Sequence, residues 1–155
     1  RYFTQALSKA WGTRWLVSRS RRTPDFVADR VAELAKDESV IARFIDYRTA
    51  GPGTLPDVLR KAEVIVCTED SSTMVSEAVS ARLPVVGVAP EAHQFTDEES
   101  AYREFLVRNN WCRVLPIASL THETFAAALA EIEPIKENPL DALAAKLKER
   151  LPALF

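Results

Sequence analysis

The sequence predicts an α/β fold: a Rossmann-like, open, mainly parallel sheet of about five strands flanked by helices. Three observations carry this. Short apolar runs bounded by turn residues alternate with longer amphipathic stretches, the pattern of repeated strand–helix units. The run Val64-Ile65-Val66-Cys67-Thr68 is apolar at successive positions, as in a strand covered on both faces, and is expected at the sheet's centre. The chain has 155 residues, 47% of them hydrophobic, with no internal repeat, low-complexity segment or linker. That length supports one proper core. Residues 1–155 therefore read as a single domain, and with Arg1 rather than Met as its first residue the chain is expected to be a piece of a longer one.

Each element has its own signal. Residues 1–12 read as a helix stopped at Gly12, and 15–18 as a short buried strand running into Arg19-Ser20-Arg21-Arg22. Thr23-Pro24-Asp25 reads as a helix start: hydroxyl cap, proline at the first helical position, then an acid against the dipole. That helix aligns Val27, Val31 and Leu34 and ends near Asp37. A strand is expected over 43–47, a glycine-bearing loop over 49–54 and a short helix over 55–62. After the strand at 64–68, a helix over 71–82 buries Met74, Val75, Ala78 and Val79. A strand at 84–89 opens on a proline, where no ladder donor is needed. Helix 98–109 and strand 112–115 complete the sheet. Thr121 caps a further helix, with Leu120 and Phe125 at hydrophobic-staple positions, and Asn138-Pro139 starts the last helix.

Composition excludes several function classes. The formal net charge is −2, yet residues 1–24 hold six basic residues (Arg1, Lys9, Arg14, Arg19, Arg21, Arg22) and no acid. A local excess of this kind suits a small anionic ligand, or a solvated basic stretch, rather than the broad positive face of a nucleic-acid binder. With four glycines there is no G-x-G-x-x-G loop and no P-loop. Cys67 and Cys112 lie far apart without a C-x-x-C or histidine partners, so no metal site is expected, and two cysteines make no disulfide framework. No apolar run is long enough for a transmembrane segment and no signal-peptide core opens the chain.

Ligands of open parallel sheets bind at the carboxyl ends of the strands. Segments 18–22, 68–74 and 89–93 should reach that edge. The first offers clustered guanidinium groups; the second offers a helix N-terminus with Ser71, Ser72 and Thr73, whose N–H groups and dipole suit phosphate oxygens. Asp70-Ser71-Ser72 is equally an ordinary helix cap that needs no ligand. Glu77 falls in the second turn, where a carboxylate can accept from ribose hydroxyls or simply face solvent. His93 is the one local candidate for acid–base catalysis, although a lone loop histidine is more often solvated. His122 follows the Thr121 cap and reads as structural. Trp11, Trp15 and Trp111 read as core or domain-interface residues.

The string from Val64 to Val88, V-I-V-C-T-E-D-S-S-T-M-V-S-E-A-V-S-A-R-L-P-V-V-G-V, resembles the nucleotide-binding stretch of GT-B glycosyltransferases and of UDP-N-acetylglucosamine 2-epimerases. Together with S-R-S-R-R-T-P at residues 18–24, it resembles the mitochondrial-fission ELM family, whose bacterial members are described as candidate glycosyltransferases or nucleoside-diphosphate-sugar epimerases. The resemblance covers residues 1–120 and implies the C-terminal Rossmann-like half of a two-domain GT-B protein. It implies that Ser18, Arg19 and Arg21 line a phosphate loop, that Ser71, Ser72, Thr73 and Met74 present backbone N–H groups to a diphosphate, and that Glu77 binds the ribose. The family's Asn-Pro-Tyr-like segment is replaced here by residues 50–56, A-G-P-G-T-L-P, so that loop's contacts are not carried over.

The function so implied is donor binding in a metal-independent GT-B glycosyltransferase. The nucleoside-diphosphate sugar is the substrate, no separate cofactor is involved, and the catalytic base comes from the missing N-terminal domain. Without a D-x-D metal motif, arginines and a helix dipole must neutralise the leaving diphosphate. The alternatives are a non-catalytic scaffold of the same family and a nucleotide-sugar epimerase or hydrolase. The expected location is cytoplasmic, free or peripheral to a membrane.

Overall fold

The computed structural model describes residues 2–92, 94–137 and 139–152. The fold is α/β and Rossmann-like: the five expected strands form, and all their pairings are parallel. Backbone hydrogen bonds gather them into one two-stranded and one three-stranded sheet. The chain divides into two compact units, Arg1–Ala62 and Glu63–Phe155.

In the first unit, α1 (Tyr2–Trp11) closes at Gly12, whose φ of +67° is the left-handed conformation that favours glycine after a helix. β1 (Trp15–Ser18), α2 (Asp25–Leu34) and β2 (Ile41–Ile45) follow. The Trp15 indole N–H donates to the Thr4 carbonyl at 3.2 Å, and its ring lies 5.9 Å from that of Phe3, fastening α1 to β1. β1 and β2 pair from Trp15–Ile41 to Ser18–Ile45 with a shift after the first pair, which leaves Ala42 as a bulge residue. Two expectations need correction. α2 starts at Asp25 with Pro24 as its cap residue, not with Thr23, because Thr23 belongs to the preceding turn: its N–H donates to the Ser20 carbonyl and its carbonyl accepts from Arg19. β2 starts and ends two residues earlier than expected, because Asp46 caps the next helix, α3 (Tyr47–Ala50), by accepting from the Arg48 N–H. α4 (Leu55–Leu59) ends the unit's regular structure.

In the second unit, β3 (Ile65–Thr68), α5 (Ser72–Ser80), β4 (Val85–Ala89), α6 (Asp97–Arg108) and β5 (Cys112–Pro116) alternate. The sheet order is β3–β4–β5, so β4 rather than β3 has a strand on either side. Val85, Val86 and Val88 are buried on both faces, whereas Ile65 and Val66 are only half-buried; the two apolar runs look alike until pairing orders them. One core joins Cys67, Val75, Ala78, Val79, Val85, Leu106, Cys112 and Ile135, with Trp111 against it. Burial pushes the Cys67 thiol up to about 12 and the Cys112 thiol up to about 11, which leaves both as inert core groups.

α6 begins with a capping box between Thr96 and Glu99. α7 (His122–Ala130) is capped by Thr121 as expected, with Thr124 completing the box and Phe125 buried at the staple position. His122 is exposed and pairs with Glu123 at 3.1 Å. α8 (Pro139–Arg150) is last; Asn138, expected with Pro139 to start it, lies outside the described residues. Among the described residues no helix is long and apolar enough to cross a membrane.

Candidate functional site

At the carboxyl end of β1 the chain turns through Ser18–Thr23 into α2. Ser18 is exposed, and so are Ser20, Arg21 and Arg22. Arg19 is different: its side chain is 7% exposed and turned inward. Nη1 donates to the Thr23 carbonyl at 3.0 Å and to Asp25 Oδ1 at 3.1 Å, and Nε makes an ion-pair contact with Asp46 Oδ1 at 2.8 Å. The Arg19 N–H donates to the Ile45 carbonyl at 3.2 Å, extending the β1–β2 ladder by one step. Arg48 lies on the far side of Asp46, with Nε at 2.8 Å from Oδ2, and also pairs with Asp29. The Arg48 hydrogen bonds hold the Asp46 carboxyl below its usual range, and burial opposes them in part.

At the carboxyl end of β3 the chain passes through Glu69 and Asp70 into α5. Ser71 is buried as the N-cap residue, its Oγ accepting from the Met74 N–H at 3.4 Å. Thr73 and Glu77 are exposed and Met74 is half-buried. The N–H groups of Ser72 and Thr73 fall in the first turn, where a helix supplies no acceptor, so this end suits an anion. The Ser72 side chain is engaged on the other side: its hydroxyl donates to Glu99 Oε1 at 2.9 Å and accepts from Arg103 Nη1 at 3.2 Å. The expected acid–base candidate His93 lies outside the described residues.

Behind this turn sits a charged pair that the sequence reading did not single out. Glu69 and Arg103 are both buried, with Arg103 Nε donating to Glu69 Oε2 at 2.9 Å and Nη2 to the Glu69 carbonyl at 2.6 Å. Arg103 Nη1 also donates to the Glu99 carbonyl, and the guanidinium lies 3.6 Å from the centre of the Phe95 ring. One side chain therefore ties the β3–α5 turn to α6 at three points. Hydrogen bonds from the Thr96 N–H, then from the Ser72 hydroxyl, hold Glu99 below its usual pKa. Glu69 Oε1 has no hydrogen-bond partner among the described residues and rests against Gly87, where a Cβ would overlap it. Gly87 is the legible trace of this arrangement: an isolated glycine inside the strand V-V-G-V-A marks a close approach. Beside the pair, an open cleft of about 450 Å³ is walled by Ala89, Phe95, Val107 and Val114, with Glu69 and Arg103 also lining it.

The model of the family described as Mitochondrial fission ELM1 matches residues 3–151. No curated protein and no solved structure matches the chain.

Proposed function

The chain belongs to the mitochondrial fission ELM1 family, and on that premise we propose that it binds a nucleoside-diphosphate sugar, as the donor domain of a metal-independent GT-B-type glycosyltransferase. The turn from β3 into α5 carries this reading. It stands at the carboxyl end of a parallel strand, the place where open α/β sheets bind ligands. It presents the first-turn N–H groups of Ser72 and Thr73, and it is braced from behind by Arg103. A diphosphate at this end accepts from those N–H groups and gains from the helix dipole, and Glu77 in the next turn accepts from ribose hydroxyls. In the first unit, exposed Arg21 offers positive charge to the same class of ligand.

Calorimetric titration with a nucleoside diphosphate, using inorganic pyrophosphate as the ribose-free control, tests the reading. One half-site alone is expected to bind near millimolar, about −4 kcal/mol. Glu77→Gln should weaken nucleoside-diphosphate binding by roughly 1.5–3 kcal/mol and leave pyrophosphate unchanged. Unchanged nucleoside-diphosphate affinity in Glu77→Gln sinks the ribose role.

The scaffold reading has an observation of its own. Leu143 and Leu147 on α8, with Leu151 just past its end, repeat every four residues and are exposed, as on a helix face that meets a partner. Loss of partner binding in Leu143→Ser/Leu147→Ser, with nucleotide binding absent in the unaltered chain, would favour it over the donor-domain reading.

A further inference from the structure

We infer that Arg19 is a positioning residue rather than a ligand contact: it holds the loop after β1 in the shape that presents Arg21 to an anionic ligand. The inference rests on the reading of this protein as a binder of phosphate-bearing ligands, and it divides the work within the first unit.

Arg19 and Arg48 together face three carboxylates, Asp25, Asp29 and Asp46. Three negative groups around two guanidinium groups leave this cluster without positive charge to offer. The Arg19 side chain is 7% exposed; Nη1 donates to the Thr23 carbonyl and to Asp25, while Nε makes no hydrogen bond among the described residues and lies in ion-pair contact with Asp46. A phosphate would have to displace carboxylates that are already paired at hydrogen-bonding distance.

The geometry then shows what those contacts accomplish. Asp25 is the first residue of α2, Asp46 follows the last residue of β2, and Thr23 closes the turn between β1 and α2. One guanidinium thus pins the exit of β1, the entrance of α2 and the exit of β2 together. The loop it encloses carries its own bonds: the Thr23 N–H donates to the Ser20 carbonyl at 3.2 Å, and the Arg22 N–H donates to Ser20 Oγ at 3.2 Å. At the tip, Arg21 is exposed and makes no hydrogen bond or ion pair among the described residues. A loop held at its base with an unengaged guanidinium at its tip has the form of an anion-presenting turn. Lysine cannot replace the brace, because a point charge on a flexible stem lacks the planar fork that reaches Thr23, Asp25 and Asp46 at once.

The test is a double-mutant cycle on the chain, read by NMR titration with inorganic pyrophosphate. Arg21→Ala is expected to lower the affinity about tenfold, as loss of one charge-assisted contact does. Arg19→Lys keeps the charge and should also lower affinity several-fold, but only while Arg21 is present; in the Arg21→Ala background it should change nothing. Independent, additive losses would show that Arg19 touches the ligand itself and overturn the inference. An unchanged affinity in Arg19→Lys would overturn it as well. Amide exchange supplies a reading that needs no ligand: Arg19→Lys should speed exchange at Arg22 and Thr23 and leave β3–β5 unaffected, and unchanged exchange there removes the positioning role. If the unaltered chain binds no pyrophosphate at 10-millimolar order, the functional reading fails, and loop exchange alone decides whether Arg19 positions the loop.

Discussion

Two buried arginines do the same mechanical work in the two units, under different electrostatic conditions. Arg19 joins the end of β1 to the start of α2, and Arg103 joins the end of β3 to the start of α5 by way of α6. In the Arg19 cluster the Asp25 side chain is 73% exposed, so water screens the Arg19–Asp25 contact, whereas Asp46 is 14% exposed. In the Arg103 cluster Glu69 is 2% exposed and Arg103 9%, with a phenyl ring over the guanidinium. Equal geometry therefore does not mean equal energetic weight. Where neither partner reaches water, removing one leaves a desolvated charge with nothing to answer it, and the fold must accommodate that. Loss of Arg19 leaves Asp25 in water and Asp46 still paired with Arg48. The first cluster can shape a loop at little risk to the unit; the second is part of the unit's core.

Arg103→Met separates the two clusters most strongly. It strands the Glu69 carboxylate and should cost roughly 3–5 kcal/mol of stability in urea unfolding. Glu69→Leu/Arg103→Met, which removes both charges, should be more stable than Arg103→Met alone, because no unpaired charge remains. If the double variant is the less stable of the two, the stranded Glu69 carboxylate carries no penalty and the contrast with Arg19 lies elsewhere.

Gly87→Ala comes next. A methyl group here meets Glu69 Oε1 from the middle strand of the sheet, and both neighbours, Val86 and Val88, are buried. The expected loss is about 1–3 kcal/mol, the range for overfilling a packed core. Glu69→Gly/Gly87→Ala, which opens the space, should lose less than the sum of its single changes. Strict additivity in the thermal transition would mean that the carboxylate does not rest on Gly87.

These two residues also show what the sequence could reveal. Gly87 interrupts an apolar strand and so announces a close approach, but not the group that approaches. Glu69 and Arg103 are brought together only by the packing of α6 on the sheet, and no local spacing encodes that. Ser71 as a cap and Thr121 with Phe125 were legible because capping is local chemistry. Arg19 lay in a basic stretch, and its inward turn depends on Asp46, which reaches it only through the parallel pairing of β1 with β2. The start of α2 shifted for the same reason: Arg19 engages the Thr23 carbonyl, and the Thr23 hydroxyl is 3.5 Å from Ser20 Oγ instead of capping the helix. Residues whose partners are near in sequence were readable; residues whose partners arrive by tertiary pairing were not.

Acid should weaken both clusters, and each contains one carboxylate that reports on it. Asp46 is held below the ordinary 3.8 chiefly by Arg48, and Glu99 below the ordinary 4.5 chiefly by the Thr96 N–H. A group whose folded value is depressed stabilises the fold fully above its unfolded value and loses that contribution as pH falls through the folded one. Urea midpoints should therefore decline below about pH 4.5. Asp46→Asn and Glu99→Gln should each flatten that decline, at the cost of a lower midpoint at neutral pH. A variant that keeps the full acid dependence shows that its carboxylate does not contribute to it.

The smallest effect sets the exposed end of the scale. Lys36 and Glu33 form an ion pair of 2.8 Å, as short as the buried contacts, yet their side chains are 72% and 61% exposed. Distance alone would rank this pair with Glu69–Arg103; hydration ranks it far below. Two long side chains must be ordered to form the pair, and salt screens what attraction remains. Lys36→Ala should change stability by less than about 0.5 kcal/mol, and that small change should shrink further in 0.5-molar salt of order. Alanine is itself the better helix former, but Lys36 lies just beyond α2, so propensity offers no compensation that could disguise a real loss. A loss above about 1 kcal/mol would mean that exposure does not govern the energetic weight of ion pairs in this fold. The ranking of Arg103 above Arg19 would then lose its physical basis, since the two clusters differ in water contact far more than in bond length.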